Sequence, residues 1–175
     1  MMEHYTRYID IPQISQARYA VDVPLDYMED WIENQMKVGL NLEPDFQRAH
    51  VWADDQRSRY VEYILRGGNS GRDIYFNHPG WRRDFIGEMV IVDGKQRLQA
   101  IRMFMDNKIR AFGSLHSEFT DCQRIFSITL KFHVNDLKNR EDVLRWYIDF
   151  NAGGTPHTDE EIEKVRLMLN KELMR

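Results

Sequence analysis

The sequence predicts an α+β fold, on three observations. Alternating or continuously apolar runs of strand length recur near 17–23, 73–77, 86–92 and 125–134. Between them lie longer segments whose apolar residues recur at helical spacing. The two kinds of element do not alternate in the strict strand–helix–strand order of a parallel α/β sheet. At 175 residues, 42% of them hydrophobic, the chain can bury a substantial core. Residues 1–16 read as an N-terminal extension and 17–175 as a single domain with a small mixed sheet and flanking helices.

Each element has a local cause. The strand at 17–23 is followed by Pro24, which suits the first position of a helix, where a missing N–H costs nothing. Leu25, Met28, Ile32 and Met36 give that helix one apolar stripe to about Lys37, and Gly39 stops it. Residues 40–52 read as an extended polar-aromatic segment. A second helix begins at Asp54 or Asp55, buries Tyr60, Val61, Ile64 and Leu65, and ends at Gly67-Gly68. A short strand at 73–77 runs into the turn Asn77-His78-Pro79-Gly80. The strand at 86–92 leads into a helix whose Leu98, Ile101, Phe104 and Met105 form a core stripe. Residues 125–134 alternate as another strand. Asn139 is placed to cap a helix reaching Phe150, a loop covers 151–156, and Thr158 with Glu161 forms a capping box for the last helix.

Composition removes several classes of function. No apolar run approaches the length of a membrane span, and no charged-then-apolar leader opens the chain, so no membrane partner is expected. Cys122 is the one cysteine, which excludes an internal disulfide and fits the reducing cytoplasm; no neighbouring motif makes it a nucleophile. A net charge of −4 argues against a protein that coats nucleic acid, but the 24 Lys and Arg residues leave room for a local basic site. The six histidines, His4, His50, His78, His116, His133 and His157, show no metal-ligand spacing.

The most informative stretch is Val90-Ile91-Val92-Asp93-Gly94-Lys95-Gln96-Arg97. A strand ending in Asp-Gly and opening into a helix aims backbone N–H groups and a positive dipole end at one point. Lys95 and Arg97 add two cations there, and Asp93 adds a carboxylate able to hold a metal. That is one reading, a phosphate pocket. The other is structural: Asp93 is an N-cap, Gln96 completes a capping box, and the cations form a solvated first turn.

Other residues carry paired readings too. His50 is either an acid or base or a loop histidine, and Trp52 either stacks on a base or anchors a cleft wall. Arg57, Arg59, Arg66 and Arg72 read as a mixed-charge solvated face, diluted by Asp54, Asp55 and Glu62, or as a phosphate-tracking face. Trp81-Arg82-Arg83 reads as an exposed hairpin tip suited to a nucleic-acid strand or a protein partner.

Three separated pieces together resemble one family. They are Pro44-Asp45-Phe46-Gln47-Arg48 leading to Val51-Trp52, then Ile91-Val92-Asp93-Gly94-Lys95-Gln96-Arg97-Leu98, then Phe150-Asn151-Ala152-Gly153-Gly154-Thr155. Their order and spacing resemble the N-terminal domain of GmrSD-type modification-dependent restriction enzymes, within the ParB/sulfiredoxin-like superfamily, over roughly residues 20–170. The resemblance implies an α+β fold whose Asp-Gly-x-Gln-Arg turn binds and hydrolyses a nucleoside triphosphate, or acts on nucleic acid, with Mg²⁺ or another divalent metal. It implies Asp93 and Arg97 as the central pair, with Asp93 as metal ligand or positioner of the attacking water. Gly94 would admit phosphate close to the backbone, and Gln96 would orient phosphate or water. Gln47, Lys95 and Asn151 would line the nucleotide, and Arg48 would bring a second guanidinium, whose planar fork suits phosphate. Gly153-Gly154 would close over the same site.

Two departures modify these expectations. Lys95 stands where the family often has Gln, adding charge; it also stands where sulfiredoxin places its catalytic cysteine, so sulfinic-acid reduction is not expected. The family's restriction enzymes carry a His-Asn-His nuclease module after this domain, and these residues contain none, so DNA cleavage by that route is not expected of them. The expected function is a metal-dependent nucleotide hydrolase, linked to DNA nicking or to phage and restriction defence in a bacterial or phage-infected cell. The alternative is a non-catalytic nucleotide- or DNA-binding module acting as sensor, decoy or inhibitor.

Overall fold

The computed structural model describes residues 4–8, 11, 18–47, 52–121, 127–152 and 159–174. Among the described residues the elements are β1 (Tyr19–Pro24), α1 (Leu25–Lys37), β2 (Leu40–Asn41), α2 (Asp54–Leu65), β3 (Asp73–Asn77), β4 (Met89–Asp93), α3 (Lys95–Met105), β5 (Thr129–Asn135), α4 (Arg140–Ala152) and α5 (Asp159–Leu173). The strands form one sheet in the order β1-β5-β3-β4-β2. β1–β5 and β3–β4 pair antiparallel, while β5–β3 and β4–β2 pair parallel. The mixed α+β class expected from the sequence is the one observed.

Helices cover both faces of the sheet, and the strands show why. Alternate residues of a strand point to opposite sides, and here both sides are apolar. Ile74, Phe76, Met89, Ile91, Leu130, Phe132 and Val134 pack with Met28 and Ile32 of α1, Val61 and Ile64 of α2, and Leu98, Ile101 and Phe104 of α3. Val90 and Val92 instead join Phe46, Val143, Leu144, Trp146 and Tyr147 of α4, and Val165 of α5, with Tyr75 packed against them. Two-sided burial explains why β4 reads as an unbroken apolar run. Each such side chain contributes about 1.5–3 kcal/mol when fully buried. Trp31 of α1 ties the first layer to the sheet, with its ring 5.4 Å from Phe76 and 4.7 Å from Phe132.

Element ends depart from expectation in instructive ways. Pro24 is the last residue of β1, opposite Thr129, and not the first of the helix. Its ψ of 146° is extended, and Leu25 donates its N–H to the Ile128 carbonyl, so sheet pairing holds the chain one residue longer. Of the segment expected to be extended over 40–52, only Leu40–Asn41 pairs among the described residues; the Asn41 side chain accepts the Glu43 N–H and turns the chain. β4 runs from Met89 to Asp93. α4 continues to Ala152, so Asn151 lies in its last turn and not in a loop. The 125–126 part of the strand expected over 125–134, Thr158 of the expected capping box and most of the N-terminal extension lie outside the described residues.

Candidate functional site

β4 hands directly over to α3 through Gly94. Asp93 is still in the sheet, opposite Tyr75 of β3. Gly94 then takes φ +91° and ψ 7° as the residue preceding α3, and Lys95 is the first helical residue. The left-handed conformation reverses the chain within one residue, which glycine does without steric cost. Space is limiting as well: a Cβ at Gly94 would lie 2.6 Å from Ile74 Cδ1, 3.2 Å from the Asp73 carbonyl and 3.2 Å from Arg97 Nη2.

The geometry overturns the capping reading of Asp93. The cap position belongs to Gly94 and carries no side-chain cap hydrogen bond. Asp93 lies one residue too early, and its Oδ2 instead accepts a hydrogen bond from Arg97 Nη2, one helical turn on, at 2.5 Å. Both groups are only partly exposed, Asp93 31% and Arg97 24%. The Arg97 guanidinium is incompletely satisfied: its Nε is buried and has no hydrogen-bond partner among the described residues. The stem of Arg97 runs past Gly71 and Tyr60, close to where side-chain atoms at Gly71 would sit.

The side chains of the other described site residues are engaged within the fold. Lys95 is buried and its ammonium pairs with the exposed Glu43 carboxylate. Gln96 is buried, and its Oε1 accepts the Trp52 backbone N–H at 3.3 Å. Gln47 donates its amide to the carbonyls of Val92 at 2.6 Å and Ile91 at 3.2 Å. Asn151 donates its amide to the Tyr147 carbonyl of its own helix at 2.7 Å. Arg48, His50, Gly153 and Gly154 lie outside the described residues. Trp52 packs edge-on against Tyr60 with centroids 5.5 Å apart, as a cleft-wall anchor would.

Three residues not singled out from the sequence stand beside the Asp93–Arg97 pair. His133 of β5, Tyr75 of β3 and Asp93 of β4 stand opposite one another on three adjacent strands, with a register irregularity in the β3–β4 ladder between Tyr75 and Phe76. His133 Nε2 bonds Asp73 Oδ1 at 2.6 Å, and the Tyr75 ring stacks on the imidazole at 4.4 Å with 10° between planes. Phe150 of α4 packs on Tyr75 at 4.3 Å, so the end of α4 reaches the same place. Burial pushes the Tyr75 hydroxyl up, reinforced by the Asp73 and Asp93 charges and opposed by Arg97. Burial also raises Tyr60 well above the usual range, against the pull of Arg97 and Arg72. The available signal was the polar alternation Lys131, His133, Asn135 in one strand and Asp73, Tyr75 in another. Only the parallel β3–β5 register makes them neighbours.

The remaining tempting groups sort themselves. Arg57 pairs with Asp54 at 2.6 Å and Arg59 with Asp55 at 2.7 Å, the mixed-charge face. Trp81 is not the exposed tip expected of it: it is half-buried against Tyr19 at 5.4 Å and Phe85 at 5.6 Å, because the hairpin folds its aromatics back onto the sheet edge. Arg82 and Arg83 are exposed. No helix among the described residues is long and apolar enough to cross a membrane.

Strand end, glycine hinge and helix start thus present a half-buried Asp–Arg pair at the positive end of a helix dipole, on a mixed sheet covered on both faces. Residues 28–168 match the model of the GmrSD restriction endonuclease N-terminal domain, and the chain belongs to that family. Membership ties it to restriction-type defence. No curated protein and no solved structure gives a match.

Proposed function

We propose that the chain binds a nucleoside triphosphate at the Asp93–Arg97 turn and hydrolyses it in the service of restriction-type defence. The observation that supports this best is the Arg97 guanidinium, whose buried Nε has no acceptor among the described residues. A buried donor without a partner costs about 1–3 kcal/mol, more when it is charged, and a phosphate oxygen would relieve that cost. Gly94 lets the strand turn directly into α3, whose dipole favours an anion at that end.

The donor set fits a metal that arrives with the nucleotide. Among the described residues no group of three or more His, Cys, Asp or Glu side chains could hold a metal ion alone. Mg²⁺ bound mainly through phosphates needs only one or two carboxylates and keeps several waters. Asp93, of which Arg97 engages Oδ2, would supply the carboxylate. The bound ion would neutralise charge on the phosphates. Lys95, Gln96 and Gln47 act in this reading by fixing the turn and the segment before α2. Asn151 and Arg48 remain proposed contacts to the nucleotide, as do DNA and a partner protein at the Arg82-Arg83 hairpin.

Binding without turnover is the second reading. It is favoured by the satisfied state of Asp93, Lys95 and Gln96, which reads as a pre-formed cradle. Phosphate release with Mg²⁺ and each common nucleoside triphosphate, measured against Asp93→Ala, separates the two. Turnover lost in Asp93→Ala supports the hydrolase. Saturable binding that needs Arg97, with no turnover by the wild type, supports the binding module. Absence of both turnover and binding overturns the nucleotide site.

A further inference from the structure

His133 and Asp73 place a hydrogen-bonded polar pair in the middle of the sheet. β5 lies between β1 and β3, and its other face is fully apolar, with Leu130, Phe132 and Val134 buried. On the face toward α4 it carries Lys131 and His133 in place of further apolar residues, and β3 answers with Asp73 and Tyr75. The His133 side chain is 17% exposed and Asp73 45%, so the pair opens to solvent at one end. Tyr75 and Phe150 close its other side.

The contact with Asp73 fixes what His133 can do. A carboxylate accepts and does not donate, so Asp73 Oδ1 selects the tautomer with its proton on Nε2. Nδ1 is then a lone-pair acceptor, and it carries no hydrogen bond from the described residues. Adjacent strands lie about 4.8 Å apart, so His133 and Asp93, two strands apart in one row, stand on the order of 10 Å from each other at their backbones. Tyr75 lies between them, with its ring stacked on the imidazole and near enough to Asp93 and Arg97 to feel both charges, so a water and a terminal phosphate would bridge the two along the solvent-open end of the row. The charged groups around the ring are Asp73 beside it, Lys131 on its own strand, Asp22 opposite Lys131 on β1, and Asp93 with Arg97 beyond Tyr75.

We propose that His133, oriented by Asp73, is the general base of the site and takes a proton from the water that attacks the terminal phosphate. The assignment rests on the nucleotide-hydrolase reading above. In the step, a water O–H bond breaks and its proton goes to Nδ1. The water oxygen bonds to the γ-phosphorus. The bond from that phosphorus to the β–γ bridging oxygen breaks, leaving a nucleoside diphosphate and inorganic phosphate, and the imidazolium returns its proton to solvent. Asp73 acts through His133 and is a positioning residue. Arg97 would hold the phosphates, and Asp93 the metal ion that accompanies them.

The test is steady-state hydrolysis of the preferred Mg²⁺–nucleoside triphosphate against pH, for the wild type, His133→Gln, His133→Ala, Asp73→Asn and Asp93→Ala. A positioned base contributes typically about 10²–10⁴-fold. The expected result is therefore a kcat loss of that order in His133→Gln, with KM within a few-fold, and loss of the acid limb of the pH profile. Added imidazole should partly restore His133→Ala, which a merely structural role would not allow. Asp73→Asn should lose kcat as well, since its amide can present a donor to Nε2 and so favour the wrong tautomer. Wild-type turnover in His133→Gln, while Asp93→Ala is inactive, overturns this assignment and leaves the hydrolase standing. Nucleotide binding without turnover by the wild type overturns it too, and moves the site to the binding reading. If both His133 variants fail to fold, Asp73→Asn decides alone: an unchanged kcat and pH profile overturns the proposal.

Discussion

Replacing Gly94 with alanine tests the turn as a physical object. Two costs add. Gly94 sits at φ +91°, where an L side chain crowds the following carbonyl, at about 1–2 kcal/mol. The new Cβ would also lie 2.6 Å from Cδ1 of Ile74, a fully buried residue between strand and helix. That neighbour is not a flexible tip in solvent, so relief requires a shift of Ile74 or of α3. Overpacking of this kind costs about 1–3 kcal/mol. The sum is about 2–5 kcal/mol, or a fall in Tm of about 4–20 °C at about 2–4 °C per kcal/mol for a chain of this size. Gly113 supplies the control, because it has φ +80° but nothing within 4 Å of its Cβ position. Gly113→Ala should therefore show the conformational cost alone. Urea unfolding followed by circular dichroism measures both. If Gly94→Ala costs no more than Gly113→Ala, the contact with Ile74 does not constrain the turn, and the close-approach argument for Gly94 fails.

Gln47→Ala removes two hydrogen bonds to the Val92 and Ile91 carbonyls, and should cost about 1–3 kcal/mol in urea melts; a loss below 0.5 kcal/mol, on the scale of an ordinary surface change, would show that the latch is not formed in solution. His78 is fully buried, its Nδ1 accepts the Gly80 N–H, and burial holds its pKa below the ordinary 6.5. The unfolded chain therefore binds a proton at His78 that the folded chain resists, so stability should fall as pH drops below about 6.5 toward the lowered folded value. His78→Asn, whose Oδ1 can still accept from Gly80, should flatten that slope between pH 7 and 5; an identical slope would remove His78 as its source.

The elements were legible because their causes are local. Met28 and Ile32, Val61 and Ile64, and Leu98, Ile101 and Phe104 each recur at helical spacing and are buried where that spacing put them, while Met36, at the end of the first stripe, is exposed. Errors fall where a tertiary partner decides. Pro24 stays in the sheet because Thr129, far away in sequence, lies opposite it. Asp93 fails to cap because the ladder to Tyr75 keeps it in the strand while Arg97 offers a charged donor one turn on. The site was half legible on the same grounds. Asp93, Gly94 and Arg97 are neighbours in sequence and could be read together. His133, Asp73 and Tyr75 meet only through a parallel pairing of strands some sixty residues apart, and no local pattern announces such a register.

The three matched segments also acquire a reason to occur together. Gln47 of the Phe-Gln-Arg segment is hydrogen-bonded to the last carbonyls of β4, and Trp52, at the end of that segment, donates its N–H to Gln96 of the turn. Glu43, just before the segment, pairs with Lys95. The third segment begins at Phe150, which packs on Tyr75 one strand from Asp93. Several motif residues that look like ligand contacts in sequence are therefore the supports of the turn, and Asp93 with Arg97 is the pair they leave half open. This divides the expected consequences of mutation. Changes at Gln47, Lys95 or Gln96 should act by loosening the turn, lowering stability together with nucleotide affinity. Changes at Asp93 or Arg97 should act on the ligand with a smaller effect on the fold, because their own pairing is partly solvated and worth about 0–1 kcal/mol. A substitution at Gln96 that spared stability but abolished binding would place it among the ligand contacts instead.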